Sequence, residues 1–182
     1  MLKEKLVIYV DMDGVLADFN NEPNALERFK QESGFFFNLK PIVENVEFVN
    51  LLIANGFNVC VLSASPNEQA DFDKLVWLHM YMPKLKNITI MRVGQNKADF
   101  VKPNSINLLF DDYGKNCRDF INRGYGAFKV DSENTIEKLL LEFVDSVICN
   151  VKFEEEINTK LERNNAAYRF AKGIIIPIIN EL

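Results

Sequence analysis

Residues 6–19, LVIYVDMDGVLADF, constrain this chain more than any other stretch. Leu6, Val7, Ile8, Tyr9 and Val10 run without a charge, and most of them are β-branched or aromatic. An apolar run of strand length, stopped by a turn signal, predicts a strand buried on both faces. Asp11 and Asp13 follow at once, and Gly14 frees the backbone behind them. Open α/β sheets hold ligands outside the carboxyl ends of such strands. Packing offers no reason for two acids there, because uncompensated buried charge is costly. The pair points to a cation as its compensation.

The same pattern recurs downstream. Apolar runs of strand length lie at 57–62 (FNVCVL), 88–93, 106–110 (INLLF) and 127–130. Helical stretches separate them. One is expected over 22–33, with Ala25, Leu26 and Phe29 on one side. A second opens on Pro41 as its first residue, carries Ile42, Val46, Val49 and Ile53 as a stripe, and stops before Gly56. Further helices are expected at 67–82, in a short patch at 97–101, and at 115–122. Strands alternating with helices predict right-handed crossovers and a Rossmann-like α/β three-layer sandwich around a central parallel sheet. Phe35, Phe36 and Phe37 suit a core or sheet edge, and beside a functional strand they also suit the wall of a pocket.

The tail from Ser132 reads differently. An amphipathic helix over 135–148 carries Ile136, Leu139, Leu140, Phe143, Val144 and Val147, and a more charged helix follows over 153–172. The apolar run at 173–179, GIIIPII, is expected to pack back on the same domain, with a homodimer interface as the alternative.

Apolar residues at 48% and charged residues at 26% are ordinary for a globular chain of 182 residues, so a core needs no disulfide staples. The cysteines, Cys60, Cys117 and Cys149, are odd in number and far apart, which suits free thiols in a reducing compartment. Lys3, Glu4 and Lys5 interrupt any apolar leader, and no stretch approaches the ~18 apolar residues of a membrane span. A cytoplasmic location without membrane partners is expected. The net charge of −5 and a pI near 5.0 argue against a nucleic-acid polymer as partner, while leaving room for a small phosphorylated ligand. His79 is the sole histidine, expected at a helix surface, so a Ser-His-Asp triad or a His-rich zinc site has almost nothing to be built from.

Three strand ends share one signature, an apolar run followed at once by polar groups: Asp11 and Asp13, then Ser63, then Asp111 and Asp112. In a parallel sheet these ends converge on one edge. Carboxylates there suit Mg²⁺, a hard ion that takes few protein ligands. One Asp can act as a nucleophile, and another two residues on can move protons. The Ser63 hydroxyl and the N–H groups after it suit phosphate oxygens, and a nearby lysine suits charge developing in the transition state. Each piece alone has a plainer reading. Asp-x-Asp pairs are common, and this one is no calcium loop, because Val15 and Leu16 stand where that loop needs a ligand and a glycine. Ser63 alone reads as a turn residue, with Ser65-Pro66 the better helix cap. Asp111-Asp112 alone reads as a turn, and Lys97 alone as a solvated lysine. Their joint order carries the argument.

On those residues the chain resembles the haloacid dehalogenase-like hydrolases, phosphatases with an Asp nucleophile. Asp11-Met12-Asp13-Gly14-Val15 is similar to their first motif, Ser63 after Val61-Leu62 to the second, Lys97 to the third and Asp111-Asp112 to the acidic fourth. Lys102 competes for the third motif; Lys97, closer to the end of the third strand, is preferred. The match is nearer to the 5′(3′)-deoxyribonucleotidases, on DMDGVLADF at 11–19, the FFF-x-L-x-P run at 35–41 and the Ser65-Pro66 pair. The resemblance spans residues 6–130. It implies a catalytic domain over 1–131, with 19–40 as a cap insert shorter than in animal members, and a helical extension over 132–182. It implies Asp11 as nucleophile and Mg²⁺ ligand, and Asp13 as acid and base, ligating through its carbonyl. Asp112 becomes the direct metal ligand with Asp111 beside it. Ser63, Ala64 and Lys97 would hold phosphate, and Phe19 would face a nucleoside.

The function this implies is Mg²⁺-dependent removal of phosphate from a nucleoside monophosphate, a deoxyribonucleotide foremost, through an aspartyl-phosphate. The alternatives are a phosphatase for a sugar or cofactor phosphate, transfer to an alcohol acceptor, and a non-catalytic domain that binds a nucleotide or a protein partner. One extra residue in the second motif, within Ser63-Ala64-Ser65-Pro66, departs from the family pattern.

Overall fold

Strands β1 (Leu6–Val10), β2 (Val59–Ser65), β3 (Asn87–Arg92), β4 (Ile106–Asp111) and β5 (Gly126–Lys129) form one sheet, every pair parallel, in the order β3-β2-β1-β4-β5. This computed structural model describes residues 6–103, 105–143 and 145–146. Helices α1 (Ala25–Arg28), α2 (Val43–Ala54), α3 (Glu68–Tyr81) and α4 (Gly114–Asn122), with a 3₁₀ turn over Lys97–Asp99, complete a Rossmann-like α/β fold.

β1 lies at the centre, and all five of its residues are buried. Its alternate side chains enter two cores, as the pleat of a strand requires. Leu6, Ile8 and Val10 join Val61 and Phe110 with Val49 and Leu52 of α2 and Trp77 and Leu78 of α3. Val7 and Tyr9 join Leu62 and Leu109 with Phe120 of α4 and Ala98 of the 3₁₀ turn. Helices therefore cover both faces, and the strand ends are the open edge.

Residues 136–143 are helical and enter the larger core through Ile136 and Leu140. Buried Asn45 of α2 joins this segment to the first loop: its side-chain N–H donates to Val15 O at 2.8 Å, and its oxygen accepts from Ile136 N at 3.1 Å. Cys149, the expected helix at 153–172 and the apolar run at 173–179 lie outside the described residues. Cys60 and Cys117 are free and buried, and His79 is exposed in the last turn of α3. Among the described residues no helix is long and apolar enough to cross a membrane.

Four elements differ from expectation. The helix expected over 22–33 shrinks to the four residues of α1, because Pro23 and a left-handed Asn24 (φ 54°) turn the chain just before it. α2 starts at Val43 rather than Pro41: Pro41 bridges to Ala17 and Ile42 N donates to Leu16 O at 2.7 Å, which keeps the chain extended to that point. β2 runs on to Ser65 because β3 pairs with its last residues, Ser63 with Ile90 and Ser65 with Arg92. The cap of α3 is Asn67, whose side chain accepts from Ala70 N at 2.9 Å; Ser65 instead donates its hydroxyl to Asn67 O.

Candidate functional site

The chain builds β2 and β3 on one side of β1, then crosses back to lay β4 on the other, so the order reverses between β1 and β4. That reversal opens a crevice at the carboxyl ends of the two strands. Asp11 follows β1, with its N–H donating to Phe110 O of β4 at 2.9 Å, while Asp111 ends β4 and Asp112 follows it. One carboxylate oxygen from each of Asp11, Asp111 and Asp112 lies within 4.8 Å of the others.

Lys97 meets two of these acids from the 3₁₀ turn. Its ammonium lies 2.8 Å from Asp11 Oδ1 and 2.6 Å from Asp111 Oδ2, and only 2% of the residue is exposed. Burial pushes its pKa down, but Asp11 and Asp111 outweigh that and hold it above the ordinary lysine value. Asp111 is fully buried, and both oxygens are engaged. Oδ1 accepts from Tyr113 N at 2.9 Å, and Asn116 donates to Oδ1 and Oδ2 at 3.1 and 3.0 Å. Burial and the nearby Asp11 raise Asp111 to about 6 against the pull of Lys97. Asp112 is only half-buried, accepts from Asn20 at 2.8 Å, and is also raised by burial.

Three carboxylates thus gather around one lysine that pairs with two of them, and the donor set is all hard oxygen, which suits a magnesium-like ion. Asp111 has no oxygen to spare. Asp11 and Asp112 are the residues that could hold an ion directly, with Asp111 fixed behind them. Gly14 makes this approach possible: its φ is +74°, and a Cβ there would run into the Asp112 carboxylate and the Asn20 amide.

The turn after Asp11 sends Asp13 elsewhere. Its carboxylate pairs through Oδ2 with Lys74 of α3, a lysine with no exposed surface. Lys74 also donates to Ser63 Oγ at 2.9 Å and to Ala64 O at 2.7 Å, and its ammonium lies 4.2 Å from the centre of the Phe36 ring. Asp13 Oδ1 is buried without a hydrogen-bond partner among the described residues. Burial is the main reason the Asp13 pKa is raised to about 6; Lys74 opposes the rise and Asp11 adds to it.

Two adjoining groups result. Asp11, Lys97, Asp111 and Asp112 form the first; Asp13, Ser63 and Ala64, gathered by Lys74, form the second. Ser63 is fully buried, so its hydroxyl lies beneath Lys74 rather than on an open surface. Phe19 joins neither group: its ring packs at 5.9 Å from Phe29, 5.7 Å from Phe35 and 6.3 Å from Phe36. Lys102 stays apart, on the exposed loop before β4, where its N–H donates to the Tyr9 hydroxyl at 2.7 Å. A cleft of ≈ 540 Å³ lies beside Asp112, lined by Asp18, Asn20, Pro41, Glu44 and Lys129 among others.

Sequence reasoning misses Lys74, Asn20 and Asn116. Only Lys74 leaves a trace, as a charge within the buried stripe Ala70, Trp77, Leu78 of α3. Asn20 and Asn116 are ordinary polar residues until the fold brings them to Asp112 and Asp111.

Two solved structures share this architecture. A chain in a structure of the Pnkp1/Rnl/Hen1 complex is 16% identical, with a TM-score of 0.55, covering 70% of this chain and 46% of its own. A chain in a structure of the Pnkp1/Rnl/Hen1 RNA repair complex is 14% identical, with a TM-score of 0.55, covering 70% of this chain and 42% of its own. The chain therefore spans less than half the length of either neighbour. No family model and no curated protein matches the chain. The exclusion of a nucleic-acid polymer, argued above from the net charge, is overturned by these neighbours, because a domain of this fold occurs within an RNA repair complex. The physical reason is that whole-chain charge averages over all surfaces, whereas a strand end can be held by a few local groups.

Proposed function

We propose that the protein is a metal-dependent phosphomonoesterase of the haloacid dehalogenase-like type, with Asp11 as its nucleophile. The observation that carries this reading is Asp11 held by Lys97 against the Asp111–Asp112 pair, at the point where the sheet reverses its strand order. Met12 N and Lys97 engage Asp11 Oδ1, which favours Oδ2 for the attack. Oδ2 bonds to phosphorus, the bond from phosphorus to the leaving oxygen breaks, and Asp13 gives that oxygen a proton. Asp13 then takes a proton from water, whose oxygen attacks the aspartyl-phosphate, and inorganic phosphate leaves with Asp11 restored. Bound Mg²⁺, on Asp11 and Asp112 and the Asp13 carbonyl, would neutralise phosphate charge. Lys97 screens the charge between nucleophile and phosphate, and Asp111 holds Lys97 in place.

The substrate class we favour is a nucleoside monophosphate, a deoxyribonucleotide first, on the strength of the 11–19 and 35–41 motifs. A second reading is a terminal phosphate on a polynucleotide, which the likeness to chains of an RNA repair complex favours. Phosphate release tests both, with ribo- and deoxyribonucleoside monophosphates, sugar phosphates and end-phosphorylated oligonucleotides as substrates. The expected result is turnover that needs Mg²⁺, stops with EDTA and vanishes in Asp11→Asn, with the preferred substrate choosing between the readings. Release by Asp11→Asn near the wild-type rate would end the assignment.

A further inference from the structure

The outward side of α3 carries a row that a surface helix has no reason to keep apolar. Ala70, Lys74, Trp77 and Leu78 are buried on one side of the helix, so the opposite side meets solvent. That side holds Phe72 at 63% exposed, Met80 at 51%, Leu75 at 40% and half-buried Val76. Phe72, Val76 and Met80 stand four residues apart, the spacing of one ridge along a helix. Phe37, also exposed, extends the patch across a groove of ≈ 330 Å³ that it lines with Gly34, Phe72 and Val76. Gly34 N donates to Asp73 Oδ2 of α3 at 2.8 Å, which ties the two walls of the groove together. Single exposed apolar residues are ordinary, whereas a contiguous patch marks a place where another surface docks.

The patch is complementary to itself. In a two-fold interface a residue that meets a second one is met by that same pair in reverse, so contacts are symmetric about the residue on the axis. Centred on Val76, the row puts Phe72 of one copy opposite Met80 of the other, and Met80 opposite Phe72. Charges follow the same register. Glu68, in the first turn of α3, and Lys84, in the turn after its end, stand equally far from Val76 on either side. Both are exposed, and an antiparallel pairing of two copies brings each Glu68 to a Lys84. Methionine is well suited to fill an irregular groove, and Met80 of the second copy arrives beside the one between Phe37 and Phe72. We propose that the protein is a homodimer in which the outer face of α3 packs antiparallel on its own copy, about a two-fold axis at Val76. This interface is independent of the phosphomonoesterase reading.

Sedimentation equilibrium of the full chain tests this, with a species of twice the 21.0 kDa of one chain expected at micromolar concentration. Phe72→Glu and Val76→Glu each put a charge into the row and should weaken dimerisation about 30-fold or more, as loss of a central anchor does. Phe72 is the more exposed of the two, so its variant serves if Val76→Glu does not fold. Glu68→Lys alone and Lys84→Glu alone set like charges opposite each other, and each should weaken the dimer about 5-fold, the scale of exposed ion pairs. Combining the two changes in one chain should bring the dissociation constant back to within about 2-fold of wild type. A monomer at every concentration overturns the inference. A dimer untouched by Phe72→Glu also overturns it, because the contact would then belong to another surface, such as one made by the apolar run at 173–179. A dimer broken by Phe72→Glu but not restored by exchanging Glu68 and Lys84 overturns the antiparallel register about Val76.

Discussion

Lys97 and Lys74 are both buried, and each faces an aspartate of the same short turn, yet they are held in different ways. Lys97 reaches its acids from a loop beyond β3 and lies between two of them, at 2.8 Å from Asp11 and 2.6 Å from Asp111. Lys74 projects from the middle of α3 and answers one acid, using its other donors on Ser63 and on a backbone carbonyl. A buried cation between two carboxylates is an electrostatic necessity, because removing it leaves like charges facing each other in a poor dielectric. A buried cation tied to one carboxylate and two neutral oxygens is a geometric clamp. Charge density separates the two lysines more than burial does.

The sharpest way to break this comparison is to neutralise each lysine in turn. Lys97→Met should destabilise the fold by about 3–5 kcal/mol, since it strands two buried carboxylates. Lys74→Met should lose about 1–3 kcal/mol, because the Asp13 side chain retains 22% exposure and water can compensate in part. Denaturant midpoints at constant m-value decide it, and equal losses would erase the distinction. Metal binding sharpens the same point. Mg²⁺ at about 100 times its Kd should stabilise the wild-type protein by about 2.7 kcal/mol. A calorimetric scan should find that gain kept in Lys74→Met and lost in Asp112→Asn. Gly14→Ala should cost about 1–3 kcal/mol, from a positive φ and a collision with the Asp112 carboxylate. It should also weaken the Mg²⁺ shift, while a methyl accommodated without either effect would show that the turn is looser than described. The smallest effect concerns the ring over Lys74. A double-mutant cycle of Phe36→Leu with Lys74→Met should return a coupling of about 0.5–2 kcal/mol, and a coupling near zero would leave the ring as packing alone.

The first group of the site was legible because its acids come at the ends of apolar runs. Asp11 after Val10 and Asp111 after Phe110 declare themselves as strand ends, and Lys97 follows soon after β3. The second group was harder to read. Ser63 looks like the residue after a strand, but β3 pairs alongside it and carries β2 on to Ser65, which buries the hydroxyl beneath Lys74. Lys74 sits on the buried side of α3 with Ala70, Asp73, Trp77 and Leu78, where a lysine more often snorkels to the surface than remains inside. Phe19 is half-buried, and its ring packs with Phe29, Phe35 and Phe36, contacts that no local pattern in the sequence shows. The helix over 22–33 failed on Asn24, whose left-handed backbone no periodicity reveals.

By itself the amino-acid order determined where strands form, that the first is buried on both faces, and that acids follow two of them. Those properties depend on neighbours one to four residues apart, the range over which pleat and helix periodicity act. The tertiary structure alone decided that the sheet reverses between β1 and β4, that Asp11 is matched to Lys97 and Asp13 to Lys74, and that Asn45 joins the first loop to the segment from Ile136. Each of those pairings closes a loop of many residues. Local preference has no reach over such distances, and only the joint burial of both cores selects them.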